Sequence, residues 1–263
     1  VSAHVSLEQI VAGFMPDVPK LAAVLFAYLD ESGTQQGATA TVLGGLVGRV
    51  SDWTDISQRW RERLDIDGAQ TFHATKLLGG HGEFHSWRPD KARMRKLYDD
   101  LANIAGGYEL EVVSGSVLLD DWNRFESEQI KARFPSSYSF AFELCLFHID
   151  KIASLLGERC AVFYATHQEY NGFSAKVAAA YVGNPRYLNT ISTIAPANPV
   201  AVMPLQVADM CAYETYHRFH SKPQDRPELP LLRHLYQTLS NGFYYDYDAL
   251  MTLEKNGPSG FLG

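Results

Sequence analysis

Nine apolar residues in a row, Leu21 to Leu29, run straight into Asp30-Glu31-Ser32-Gly33. A run of that length falls well short of the roughly 20 residues needed to cross a bilayer. It suits a central strand, buried on both faces, that delivers carboxylates to the edge of a sheet. Charge at such a place is costly unless it lies in a cleft, pairs with a cation or caps a turn. Neighbouring residues on a strand point to opposite faces, so Asp30 is expected to face the cleft and Glu31 the turn or solvent. Acids, serine and glycine are also ordinary turn residues, and the residues alone leave that reading open.

The chain has 263 residues, 46% hydrophobic and 20% charged, which describes a well-cored globular protein. No internal repeat, low-complexity linker or like-charge run divides it. The expectation is an N-terminal arm over 1–20 and one domain over 21–263. A formal net charge of −7 argues against the broad basic surface of a tight nonspecific nucleic-acid binder, though not against a locally basic nuclease. Three well-separated cysteines in apolar surroundings, Cys145, Cys160 and Cys211, indicate reduced core thiols in a cytoplasmic protein. No signal peptide or membrane-spanning segment is expected.

A hairpin follows the first strand, with a second strand over Ala38 to Val47 broken at Gly44-Gly45. Ser51 is positioned to cap a helix to about Leu64, and Pro89 to open one that ends near Ala105. A strand over Glu109 to Leu119 precedes a long apolar helix, Tyr138 to Leu156, introduced by Ser136-Ser137 and closed by Gly157. Cys160 to Ala165 reads as a strand, Phe173 to Tyr181 as a helix and Tyr187 to Ala195 as another strand. Val202 to His220 and Leu231 to Leu239 close the helical count. The aromatic tail Phe243-Tyr244-Tyr245-Asp246-Tyr247 packs on the core or on another subunit. This mixture of elements predicts an α/β or α+β mixed sheet.

Five groups of residues could carry chemistry. Asp30 with Glu31 is the first. Asp209 is the second, an acid inside the apolar helical stretch Leu205 to Tyr213, with Gln206 on a neighbouring part of its face. Glu214 and His217 have the Glu-x-x-His spacing of di-iron bundles, but such sites need two copies and only one occurs. His73, His81 and His85 with Glu83 could be drawn as a zinc site, against which stand a glycine-rich loop and the lack of a nearby cysteine. His73, after Phe72, is the better site candidate of that group, and Lys76 is a possible phosphate contact beside an ordinary surface role. His167-Gln168-Glu169 follows the strand ending at Ala165, where functional clefts gather.

Taken together, Tyr28-Leu29-Asp30-Glu31-Ser32-Gly33, Phe72-His73-Ala74 and Leu205-Gln206-Val207-Ala208-Asp209 resemble the signatures of the DUF3800 family, in the same order, over about Phe26 to Arg218. The resemblance implies an RNase H-like fold: a mixed sheet flanked by helices. It further implies a metal-dependent, nuclease-like hydrolase of phosphodiester bonds. Asp30 and Asp209 would anchor Mg²⁺ or Mn²⁺, Glu31 would be an auxiliary acid, and His73 would join them in catalysis. The resemblance implies a third metal-ligating acid near the end of the central strand, earlier in the segment than any acid here: the strand ends in Thr166-His167-Gln168-Glu169, so either Glu169 or His167 substitutes or the metal site is incomplete, with Glu143 in reserve. Nucleic acid is then the expected substrate. The alternatives are a non-catalytic RNase H-like module binding nucleic acid or protein, and a small-molecule phosphodiesterase.

Overall fold

A computed structural model of the chain describes residues 24–33, 37–166, 190–235 and 241–256. Its strands are β1 (Val24–Ser32), β2 (Ala40–Arg49), β3 (Glu111–Leu118), β4 (Arg159–Ala165), β5 (Ile191–Ala197) and β6 (Asn241–Tyr245). They form one six-stranded sheet in the order β5-β4-β1-β2-β3-β6. β2 runs antiparallel to both β1 and β3, whereas β4 is parallel to β1, β5 to β4 and β6 to β3. The described part of the apolar run, from Val24 on, thus lies in the sheet's interior strand β1. Phe26 and Tyr28 pack on one face, and Leu25, Ala27 and Leu29 on the other.

The helices cover both faces. α1 (Val50–Asp67), α2 (Ala74–Gly79), α3 (Lys91–Gly106), α7 (Pro204–His220) and α8 (Pro230–Leu235) contribute to the Phe26 side. α6 (Ser137–Leu156) fills the opposite side. Three further helices, α4 (Leu119–Arg124), α5 (Glu128–Arg133) and α9 (Tyr247–Asn256), build a smaller aromatic cluster beside β3. This is a mixed α/β sheet flanked by helices, consistent with an RNase H-like fold. The three cysteines are buried free thiols. Among the described residues no helix is long and apolar enough to cross a membrane.

Local signals explain most helix ends. Ser136 accepts from the backbone N–H of Ser139 in a reciprocal capping box, and Gly157 closes α6 with a left-handed φ of 66°. Ser51, the expected cap, instead lies inside α1. β2 passes directly into that helix at Val50, and Arg49 occupies the cap position without a side-chain cap. Pro89 likewise lies before α3, whose cap is Asp90, accepting from Arg93 N–H at 2.9 Å.

Gly44-Gly45 does not break β2. Gly44 pairs with Asp30, and a Cβ added there would meet Ala212 Cα of α7 at 2.8 Å. Gly45 is equally constrained, because its Cβ would lie 1.9 Å from Tyr28 O. Gly44 therefore permits a close approach of helix to strand, and Gly45 a close approach to the β1 backbone, rather than a bend. The aromatic tail is another departure: Phe243 to Tyr245 belong to β6, an edge strand hydrogen-bonded to β3. Residues 1–20, 173–181 and 167–169, which carry the expected arm, a helix and the His167-Gln168-Glu169 group, lie outside the described residues.

Candidate active site

The parallel strands β1 and β4 finish at the same edge of the sheet, and a cleft of about 340 Å³ opens there. Asp30, Glu31, Ser32 and Gly33 enter it from β1, and Ala165 and Thr166 from the end of β4. α7 supplies Gln206, Asp209 and Tyr213. Their spacing of three and four residues places them on one helical face, which is why an acid can sit in so apolar a helix. Phe72, His73 and Thr75 close another side. This is the location expected for a site in an open α/β sheet, outside the carboxyl ends of its strands.

The segment around His73 is fastened to α7 by directed hydrogen bonds. Asp209 Oδ2 accepts from Ala74 N–H at 2.6 Å, while Asp209 Oδ1 lies 3.1 Å from His73 Nδ1. One turn earlier, Gln206 Oε1 accepts from Phe72 N–H at 2.9 Å and from Trp60 Nε1 at 3.2 Å. Its amide nitrogen donates to Pro199 O at 3.0 Å. Gln206 is 1% exposed, so these bonds satisfy groups that water does not reach. Two short sequence signatures thus hold each other in place. Gln206 had drawn attention only as a neighbour of Asp209, and its bracing role is visible only in three dimensions.

Negative charge is concentrated in the cleft. Burial pushes the Asp30 carboxyl well above the usual range, and the nearby charges of Asp209 and Glu31 push it further. Burial likewise raises Glu31 from 4.5 to about 7, and the Asp209 charge adds to the rise; a hydrogen bond to the Asp30 side chain and the His73 charge oppose it. Asp30 Oδ1 also accepts from Glu31 N–H at 2.8 Å. Asp30 and Glu31 are therefore hydrogen-bonded neighbours close enough to Asp209 to feel its charge.

Both residues of that pair line the cleft, so Glu31 does not turn away as the strand alternation predicts. The alternation itself holds along β1. At the strand's end, however, the cleft lies beyond the sheet edge and is reached from either face. His73 is 42% exposed on its side chain against 13% for Asp209, leaving the imidazole accessible beside a shielded carboxylate.

The other candidates have structural employment. Glu214 is buried and accepts from Tyr98 OH at 3.0 Å, Leu231 N–H at 3.2 Å and Leu232 N–H at 2.8 Å, which ties α8 to α7. His217 Nδ1 is 2.7 Å from Ser221 Oγ, so the Glu-x-x-His spacing is not a metal pair. Glu83 accepts from the backbone N–H groups of Gln70 and Thr71 at 2.7 and 3.1 Å, and His81 Nδ1 is 3.1 Å from Arg88 Nη2. Glu143 forms an ion pair with Arg133 away from the cleft. Among the described residues no three His, Cys, Asp or Glu side chains are arranged as a ready metal cluster. Tyr213 and Thr75 are cleft residues that the sequence reading passed over, although Tyr213 follows Asp209 by the four residues that define one helix face.

No protein-family model matches the chain, and no curated protein matches it.

Proposed function

We propose that the chain is a metal-dependent hydrolase of phosphodiester bonds and that the β1–α7 cleft is its active site. The observation that carries this reading is the convergence of Asp30, Glu31 and Asp209, from the first strand and a late helix, in one cleft. The Asp30 and Glu31 carboxyls, held above their usual range by burial and by neighbouring charge, form with Asp209 a donor set that a hard divalent cation would stabilise. Asp30 and Asp209 are the residues proposed to hold Mg²⁺ or Mn²⁺, with Glu31 as auxiliary acid and Glu169 as the further ligand. When bound, such an ion supplies a more acidic water and neutralises charge on the phosphate.

His73 has a distinct task in this reading. Donation of its Nδ1–H to Asp209 would leave Nε2 as the basic nitrogen, suited to accept a proton from water or return one to a leaving oxygen. Gln206 keeps the His73 segment against α7. The test is cleavage of single- and double-stranded DNA, RNA and a chromogenic phosphodiester by the purified chain with Mg²⁺ or Mn²⁺. Asp30→Asn and Asp209→Asn are expected to abolish cleavage while retaining the circular dichroism spectrum. Equal cleavage by these variants would overturn the assignment. Turnover of the small ester alone would favour the small-molecule phosphodiesterase, and polymer or protein binding without any cleavage the non-catalytic module.

A further inference from the structure

Tyr213 reaches the cleft one turn of α7 beyond Asp209, on the same helical face. Its ring is held on two sides. The Tyr98 ring meets it edge-on at a centroid distance of 6.3 Å, and the Tyr98 hydroxyl is itself tied to Glu214 at 3.0 Å. The His217 ring lies against it at 4.4 Å, with His217 Nδ1 engaged by Ser221 Oγ at 2.7 Å. A tyrosine packed this way has little freedom left to lose, so its hydroxyl is in place before a substrate arrives.

That hydroxyl is unused by the protein. A buried phenol ordinarily finds a hydrogen-bond partner, as Tyr98 does. The Tyr213 hydroxyl has none among the described residues, and it is not one of the partnerless polar atoms shut away from solvent. Tyr213 is half-buried and lines the cleft. Burial, with the charges of Glu214 and Asp209, pushes the hydroxyl up to about 12 against the opposing Arg95 charge. It therefore keeps its proton near neutral pH and acts as a neutral donor, not as a base.

The surroundings make such a donor valuable. Ionised Asp30, Glu31 and Asp209 offer only acceptors, and no lysine or arginine lines the cleft among the described residues. Gln206 has both ends of its amide committed, and Thr75 Oγ1 lies 3.3 Å from His73 Nδ1. An anionic oxygen entering here gains a short, charge-assisted bond from a neutral O–H. We infer that the Tyr213 hydroxyl donates a hydrogen bond to a non-bridging phosphate oxygen of the substrate and so orients it beside Asp30 and Asp209. The inference rests on the phosphodiesterase reading of the cleft, but phosphate binding can be measured apart from cleavage.

The experiment compares the wild type with Tyr213→Phe and Tyr216→Phe. The second variant removes a hydroxyl of the same helix that lies 3.3 Å from Thr39 Oγ1 and is not part of the cleft lining. Thymidine monophosphate is titrated into each chain by calorimetry in Mg²⁺, and hydrolysis of a chromogenic phosphodiester is followed in parallel. A hydrogen bond to a charged group is worth about tenfold or more in affinity. Tyr213→Phe is expected to weaken nucleotide binding and to lower kcat/KM by about that factor, with Tm unchanged because no protein partner is lost. Tyr216→Phe is expected to stay near wild type in both. The rate ratio of wild type to Tyr213→Phe is expected to be constant with pH, and loss of the alkaline limb of the profile in the variant would make Tyr213 a proton donor and overturn the positioning role. No phosphate binding by the wild type, unchanged binding in Tyr213→Phe, or equal weakening in both variants would overturn the contact. Weaker binding in Tyr213→Phe alone, with no cleavage by the wild type, would uphold the contact and remove only the hydrolase reading.

Discussion

His73 and Asp209 form a dyad: the imidazole Nδ1 lies 3.1 Å from Oδ1, and the other oxygen of the same carboxylate takes the Ala74 N–H at 2.6 Å. One side chain of α7 therefore fixes both the position and the orientation of the ring. General acid–base residues typically contribute a hundredfold or more to rate. His73→Ala is expected to lower kcat by roughly that factor with little change in KM, read by steady-state hydrolysis of a chromogenic phosphodiester. A purely structural histidine would instead alter the unfolding midpoint and leave kcat intact.

Gln206 offers a test of the brace independent of activity. Replacing it with leucine strips partners from Phe72 N–H, Trp60 Nε1 and Pro199 O at a nearly inaccessible site. Each buried group left unsatisfied costs about 1–3 kcal/mol. Gln206→Leu is expected to lose on the order of 3 kcal/mol in urea unfolding, and a loss below about 1 kcal/mol would show that the segment is held by other contacts.

Ion binding should appear as stabilisation. If the proposed site holds the ion, millimolar Mg²⁺ or Mn²⁺ is expected to raise Tm by several degrees, at about 2–4 °C per kcal/mol for a chain of this size, because the carboxylates converge only in the folded chain. Asp30→Asn and Asp209→Asn should each remove the shift. A shift that survives in both variants would assign the ion to another place.

Glu214 provides a pH signature. Burial raises it from 4.5 to about 7, while its three hydrogen-bond donors oppose the rise. An acid raised in the folded state binds more protons folded than unfolded between those values. Its contribution is complete below pH 4.5 and is lost as pH climbs through 7. The stability of the wild type relative to Glu214→Gln should fall by roughly 2–3 kcal/mol between pH 4.5 and 8. A difference that is flat with pH would show that Glu214 titrates normally.

The sequence was most readable where one residue pattern answers to one local force. The run into Asp30 suits an interior strand, and Ser136 with Gly157 marks both ends of α6 by capping chemistry alone. It was least readable where tertiary contact decides. Gly44 has the appearance of a strand breaker until Ala212 is seen above it. β6 was taken for tail because its pairing with β3 is remote in sequence. Asp30 and Asp209 could be nominated as acids out of place, but that Glu31 joins them depends on how the strand end meets the cleft. The bracing by Gln206 could not be read at all, since its three partners come from three separate stretches of chain.

The contact between Ala74 and Asp209 spans 135 residues of sequence. Closing a loop of that length costs an unfolded chain about 4 kcal/mol beyond its constant part, offset only once α7 has docked on the sheet. During synthesis the early strand and the His73 segment must therefore wait, without their acidic counterpart, until α7 has emerged from the ribosome. A nascent or truncated chain that lacks α7 would therefore lack the assembled cleft.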